Sequence, residues 1–143
     1  IIDLAHASPQ VAREVLDMVD VPVVVSHGGI YSHCQTVRNF PDALMQDIAA
    51  RGGLIGIGFW EEVTCDDTPA GIAASIIAAV NVLGEDHVAL GSDFDGAVKT
   101  TFDVSELPAI TQALMDGGLD EATIAKVMGG NMVQFLQGAL PEG

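Results

Sequence analysis

Val21-Pro-Val-Val-Val-Ser-His27-Gly-Gly29 is the stretch on which the fold turns. Its β-branched run shows no polar alternation, the pattern of a parallel strand covered on both faces rather than of a half-exposed antiparallel one. The run ends on a histidine and two glycines, so a polar side chain sits just past the strand. On its N-terminal side, Ser8-Pro9 supplies an N-cap followed by proline at the first helical position. That predicts a helix through about Val19, with Val11, Val15, Met18 and Val19 on one face, and Ile1 to Leu4 as a short strand before it.

The same alternation continues downstream. Pro41-Asp42 opens a helix to about Arg51 with Leu44, Met45 and Ile48 inward, and Gly52-Gly53 stops it. Leu54 to Phe59 reads as the next strand. Thr68-Pro69 starts a helix to Leu83 with Gly84 behind it, and His87 to Leu90 reads as a strand running into Gly91-Ser-Asp-Phe-Asp-Gly96. Helices follow at about Ser105 to Asp116, Asp120 to Met128 and Asn131 to Leu136. Four strand-then-helix units predict an α/β fold with a parallel sheet.

Such a sheet belongs either to a small doubly wound fold or to part of a (β/α)8 barrel. The polar residues decide between them. His6, His27 and Asp93 each lie immediately past the C-terminal end of a strand, where barrel enzymes place their chemistry. A complete barrel takes roughly 250 residues, so residues 1–143 are expected to be half of one. The chain begins Ile-Ile-Asp-Leu-Ala-His, without a methionine or a basic leader, which fits the inside of a longer polypeptide.

Composition narrows the function. The chain is 49% hydrophobic and 17% charged, with a mean hydropathy of +0.39, far too apolar for a disordered segment. Its net charge is −15, and its five basic residues are scattered, which excludes nucleic acid and anionic membranes as main partners. The longest apolar run, Ile72 to Leu83, is interrupted by Ser75 and Asn81 and falls short of the roughly 20 residues that span a bilayer. Homo-oligomer formation is left open.

Several residues have chemistry to offer. His6 and His27 lie 21 residues apart at equivalent strand ends, and neighbouring strands run about 5 Å apart, so their imidazoles can converge on one metal ion. His33 falls outside short zinc spacings, and His87 precedes its strand; neither is expected to be a ligand. Asp93 and Asp95 point to one face if the strand pleat persists, where an acid beside a metal can handle a water proton; the alternative is an ordinary Asp-Gly turn. Arg38, the lone basic residue between His27 and Pro41, suits a substrate carboxylate, or else pairs with Asp42. Cys34 and Cys65 are the only cysteines, either bridged or free and buried. There is no G-x-S-x-G nucleophile elbow, and Gly56-Ile-Gly58 lacks the rest of a dinucleotide fingerprint.

Together these segments resemble the membrane (renal) dipeptidase family, peptidase family M19. Asp3-Leu-Ala-His6-Ala-Ser8 is similar to the family's D-x-S-H-x-S, with Ala5 in place of serine. Pro22-Val-Val-Val-Ser-His27 is similar to P-V-x-x-S-H, Arg38-Asn-Phe-Pro-Asp42 to R-N-x-P-D, and Gly91-Ser-Asp-Phe-Asp-Gly96 to G-x-D-F-D-G. The resemblance implies a zinc-dependent dipeptidase that cleaves a dipeptide with a metal-bridging hydroxide. His6 and His27 would ligate one of two zinc ions, Arg38 would bind the substrate carboxylate, and Asp93 would shuttle the proton. It also implies a Cys34–Cys65 disulfide, as in mammalian members; the compartment stays open between cytoplasmic and exported, with a periplasmic or extracellular location expected if the two cysteines are paired.

The resemblance further implies that an H-x-D pair, a bridging glutamate and a substrate-binding histidine lie upstream of residue 1. The segment alone is therefore expected to be inactive. Gln134 stands where the family's G-x-N-x-x-R segment commonly has arginine, a position read as structural. The competing expectations are a related amidohydrolase acting on another amide or a lactone, and a non-catalytic barrel whose metal site has decayed.

Overall fold

The computed structural model describes residues 1–141. Its elements are α1 (Pro9–Met18), β1 (Val24–Gly28), α2 (Asp42–Ala50), β2 (Leu54–Ile57), α3 (Glu61–Thr64), α4 (Pro69–Leu83), β3 (Val88–Leu90), α5 (Leu107–Asp116), α6 (Glu121–Ala125) and α7 (Asn131–Ala139). The strands form one parallel sheet in the order β1-β2-β3. Ile2–Leu4 extends it beside β1 by a single parallel bridge: the Leu4 N–H donates to Val24 O at 2.8 Å, and the Val24 N–H donates to Ile2 O at 2.9 Å.

Local chemistry sets the helix starts. The Ser8 hydroxyl accepts from the Val11 N–H, and Thr68 accepts from Gly71, each followed by proline at the first helical position. Gly84, with φ of 88°, closes α4 in a conformation that a side chain would resist. The sheet is covered on both sides. Val23, Val25, Ile55, Ile57 and Val88 pack with Leu44, Ile48, Ile72 and Ile76 of α2 and α4. Val24, Leu54 and Ala89 face the other way, where Met132 and Phe135 of α7 meet them.

Three details depart from the sequence reading. The buried residues of α1 are Ala12 and Leu16, whereas Val11 and Met18 are 47% and 82% exposed. Val11 and Met18 lie about 100–120° around the helix from Ala12, outside the stripe that touches the core. β1 begins at Val24 because Pro22 has no N–H to give a ladder. The short α3 has no sequence signal beyond two glutamates in its only turn. At the C-terminus the predicted break between helices is present: Gly129 has non-helical backbone angles and kinks the chain between α6 and α7.

One irregularity positions the site. β1 pairs Val25 with Ile55 but Gly28 with Ile57, so it carries one extra residue, a bulge at Ser26 and His27. The bulge turns the Ser26 carbonyl across the inner face. A Cβ on Gly56 would come within 2.2 Å of that oxygen, and one on Gly91 within 2.3 Å. Glycine on β2 and immediately past the end of β3 therefore makes room for the bulge that re-aims His27.

Candidate metal and substrate site

The loops at the C-terminal end of the sheet hold the site. His6, Cys65 and Asp93 are the non-glycine residues with positive φ among those described, at 64°, 61° and 58°, and all three lie in these loops. Each left-handed residue costs roughly 1–2 kcal/mol, and such strain gathers where side-chain placement matters.

His6 and His27 come together. Their Nε2 atoms are 2.9 Å apart, with the rings edge-on at 4.8 Å between centroids. Two nitrogens each about 2.0–2.1 Å from one zinc ion at a tetrahedral angle are about 3.3 Å apart, so a few tenths of an ångström of opening fits the pair around a cation. The donor chemistry fits as well: two imidazoles present their Nε2 atoms to one point, and no carboxylate intervenes. Among the described residues there is no cluster of three or more metal-ligating side chains. The pair is a half-set that needs further ligands.

Burial, with the positive charges of His6 and Arg38 beside it, holds the His27 imidazole below its ordinary pKa, against the opposing pull of Asp93 and Asp3. The ring therefore stays in the neutral form a metal requires near pH 7. Its Nδ1 lies 2.9 Å from the Ser26 hydroxyl.

Arg38 joins this group. Its Nη2 is 3.4 Å from His6 Nε2, and its guanidinium carbon lies 5.7 Å from the centroid of Trp60. The alternative pairing with Asp42 is absent: the Asp42 carboxylate accepts from the Ser32 N–H at 3.1 Å. Trp60 also lies 5.9 Å from the His27 ring and is 4% exposed. It walls a cleft of about 360 Å³ with Glu61, Glu62, Asp67 and Lys99.

Asp93 is near but not in contact. It acts on His27 through its charge, and no hydrogen bond joins it to either imidazole among the described residues. The strand pleat does not persist past Leu90. Asp93 turns left-handed, its carboxylate folds over Gly96, and Asp95 is exposed, so the two acids do not share a face.

His87 Nδ1 donates to Gly53 O at 2.9 Å, at the opposite end of the strands, and His33 is exposed. Cys34 and Cys65 are disulfide-bonded. That bond straps the Arg38 loop to the segment after β2. Asn39 Nδ2 helps by donating to Cys34 O at 2.9 Å and Val63 O at 3.0 Å, and the Thr36 hydroxyl by donating to Glu62 O at 2.7 Å.

Sequence reasoning passed over Trp60, Ser26 and Asp3 as site residues. A lone tryptophan reads as core, and only its position three residues past the end of β2 marks it. Asp3 and Ser26 stand inside the motifs, but what they hold becomes visible only when the two strands lie side by side.

Paired histidines past neighbouring strand ends of a parallel β/α chain, with an arginine in the loop after β1, match the C-terminal face at which the class of (β/α)8 barrel proteins places its chemistry. Within that class, the chain belongs to the membrane dipeptidase family (peptidase family M19), which it matches over residues 1–139. It is 36% identical to dipeptidase aclJ of Aspergillus oryzae, over 95% of this chain and 34% of that protein. It is 33% identical to dipeptidase tcpJ of Claviceps purpurea, over 96% of this chain and 34% of that protein. A metallopeptidase from Rhodobacter sphaeroides, solved with a phosphinate mimic of the dipeptide L-Ala-D-Ala, superposes with a TM-score of 0.88 at 28% identity, covering 96% of this chain and 42% of that one. The chain thus spans about a third of the length of these curated relatives. No described helix is long and apolar enough to cross a membrane.

Proposed function

We propose that the full-length protein containing this chain hydrolyses the peptide bond of dipeptides with a pair of zinc ions, and that residues 1–143 contribute the C-terminal half of its barrel. The convergence of His6 and His27 Nε2 at 2.9 Å carries this reading. These two residues hold one ion. The ion pair, when bound, supplies a water of lowered pKa and polarises the scissile carbonyl.

The chain's other residues bind and move protons. Arg38, propped against Trp60, presents its N–H groups to the free carboxylate of the dipeptide. That contact fixes the peptide bond over the histidines and favours substrates short enough to place a C-terminus there. Asp93, on the loop after β3, takes the proton released on attack and returns it to the leaving amine. Trp60 closes one wall against water. The Cys34–Cys65 bond suits an oxidising compartment, periplasmic or extracellular.

Arg38→Ala in the full-length protein separates this reading from a structural arginine. The expected result is a fall in kcat/KM of about 10- to 100-fold on dipeptides, the loss of one charge-assisted contact, with little change on the corresponding dipeptide amides. An equal loss on both substrates overturns the assignment.

A further inference from the structure

The turn that follows β3 is built around a bare α-carbon. Residues Asp93 to Gly96 form a β-turn closed by the Gly96 N–H, which donates to Asp93 O at 2.9 Å. Asp93 opens it in the left-handed region, at a φ of 58°, which aspartate visits more readily than most residues. Its carboxylate lies back over the turn, against Gly96. A Cβ at position 96 would fall within 2.5 Å of both carboxylate oxygens, well inside van der Waals contact.

This glycine serves the carboxylate and not the backbone. Gly96 does not share the positive φ of Gly52, Gly84 and Gly118, so its own conformation is open to a residue with a side chain. Position 96 is also exposed, and the three atoms nearest the absent Cβ all belong to the Asp93 carboxyl group. The main chain of the turn is held from the other side. Phe94 packs edge-on against Phe59, just past β2, with ring centroids 5.6 Å apart, and against Phe102 at 6.0 Å. Phe59 is fully buried and Phe102 nearly so. Any conflict at position 96 therefore falls on the Asp93 side chain, which can turn to another rotamer, before it falls on the anchored backbone.

We propose that Gly96 is a positioning residue for Asp93, its missing side chain setting where the proton-carrying carboxylate lies. The inference rests on Asp93 being the proton carrier, as in the reading above, and adds what places it.

The test is Gly96→Ala in the full-length protein, alone and combined with Asp93→Gly, which removes the carboxylate and suits the left-handed backbone. In Gly96→Ala, kcat on dipeptides should fall about 10- to 100-fold, the cost of misplacing a reacting group by about an ångström, with KM within about twofold of the unmodified value. In the Asp93→Gly background the same substitution should change kcat by less than about twofold, because nothing remains to displace. A crystal structure of Gly96→Ala should show the main chain of the turn in place and the Asp93 carboxylate in another rotamer.

A glycine needed only for folding would cost the same in both backgrounds. Where Asp93→Gly lowers kcat, an unmodified kcat in Gly96→Ala, or a loss undiminished when the carboxylate is already gone, overturns the proposal. Where Asp93→Gly leaves kcat unmodified, Asp93 drops out of the mechanism and the crystal structure of Gly96→Ala decides the placement: a displaced carboxylate supports it, and an unmoved one overturns it. If Gly96→Ala does not fold, the double variant decides. With the overlap gone it should recover the unfolding midpoint of Asp93→Gly, and failure to recover it overturns the proposal.

Discussion

Replacing His27 by alanine in the full-length protein is expected to remove one metal ion per chain and about a thousandfold of kcat/KM on dipeptides. The size follows from what the ion supplies. Polarising the carbonyl and activating water are worth several kcal/mol, and each 1.36 kcal/mol is about tenfold in rate. His6 would be left as the one imidazole of this pair, and the ion's ligand set would be short by one. His27 is half-buried on the β1 bulge, and its ring touches Trp60 and His6 rather than the deep core. Circular dichroism should therefore show a folded protein. Mass spectrometry of the metal content reads the primary effect, and unchanged content in the variant would remove His27 from the ligand set.

Serine at both Cys34 and Cys65 should produce the largest loss of stability. The bridge closes a separation of 31 residues, which in the chain-entropy account stabilises the fold by about 3–4 kcal/mol. That is several hundredfold in the folding equilibrium at about 1.4 kcal/mol per decade. Urea unfolding measures it directly, as a lowered midpoint with the slope retained. The bond also holds the Arg38 loop against the segment after β2, so KM for dipeptides with a free carboxylate should rise in the same variant. A midpoint equal to that of the unmodified protein would mean that Asn39 and Thr36, with their bonds across the two loops, hold the strap without the bridge.

The parts of the fold legible in the sequence were those written locally. Ser8-Pro9, Thr68-Pro69 and Gly84 announce helix ends because a cap and a fixed backbone angle act within one turn. The unbroken run at Val23 to Val25 announces a strand buried on both faces. The inward face of α1 was misread because Val11 and Met18 are apolar yet lie outside the stripe that touches the sheet, and that stripe is set by docking, not by composition.

The site followed the same division. The convergence of His6 and His27 was legible because equivalent strand ends in a parallel sheet are neighbours. The expected shared face of Asp93 and Asp95 was not, because the chain turns left-handed at Asp93 instead of continuing the pleat. The bulge at Ser26 was hidden for a similar reason. Register belongs to two strands, and only the glycines at 56 and 91, conspicuous in retrospect, record in one strand what the other requires.

The central claim is that His6 and His27 share one cation. The full-length protein crystallised with zinc, with diffraction recorded at the zinc absorption edge, tests it most directly. An anomalous peak is expected about 2.0–2.1 Å from Nε2 of both His6 and His27. A map with no peak there, the two imidazoles still bonded to each other, would contradict it.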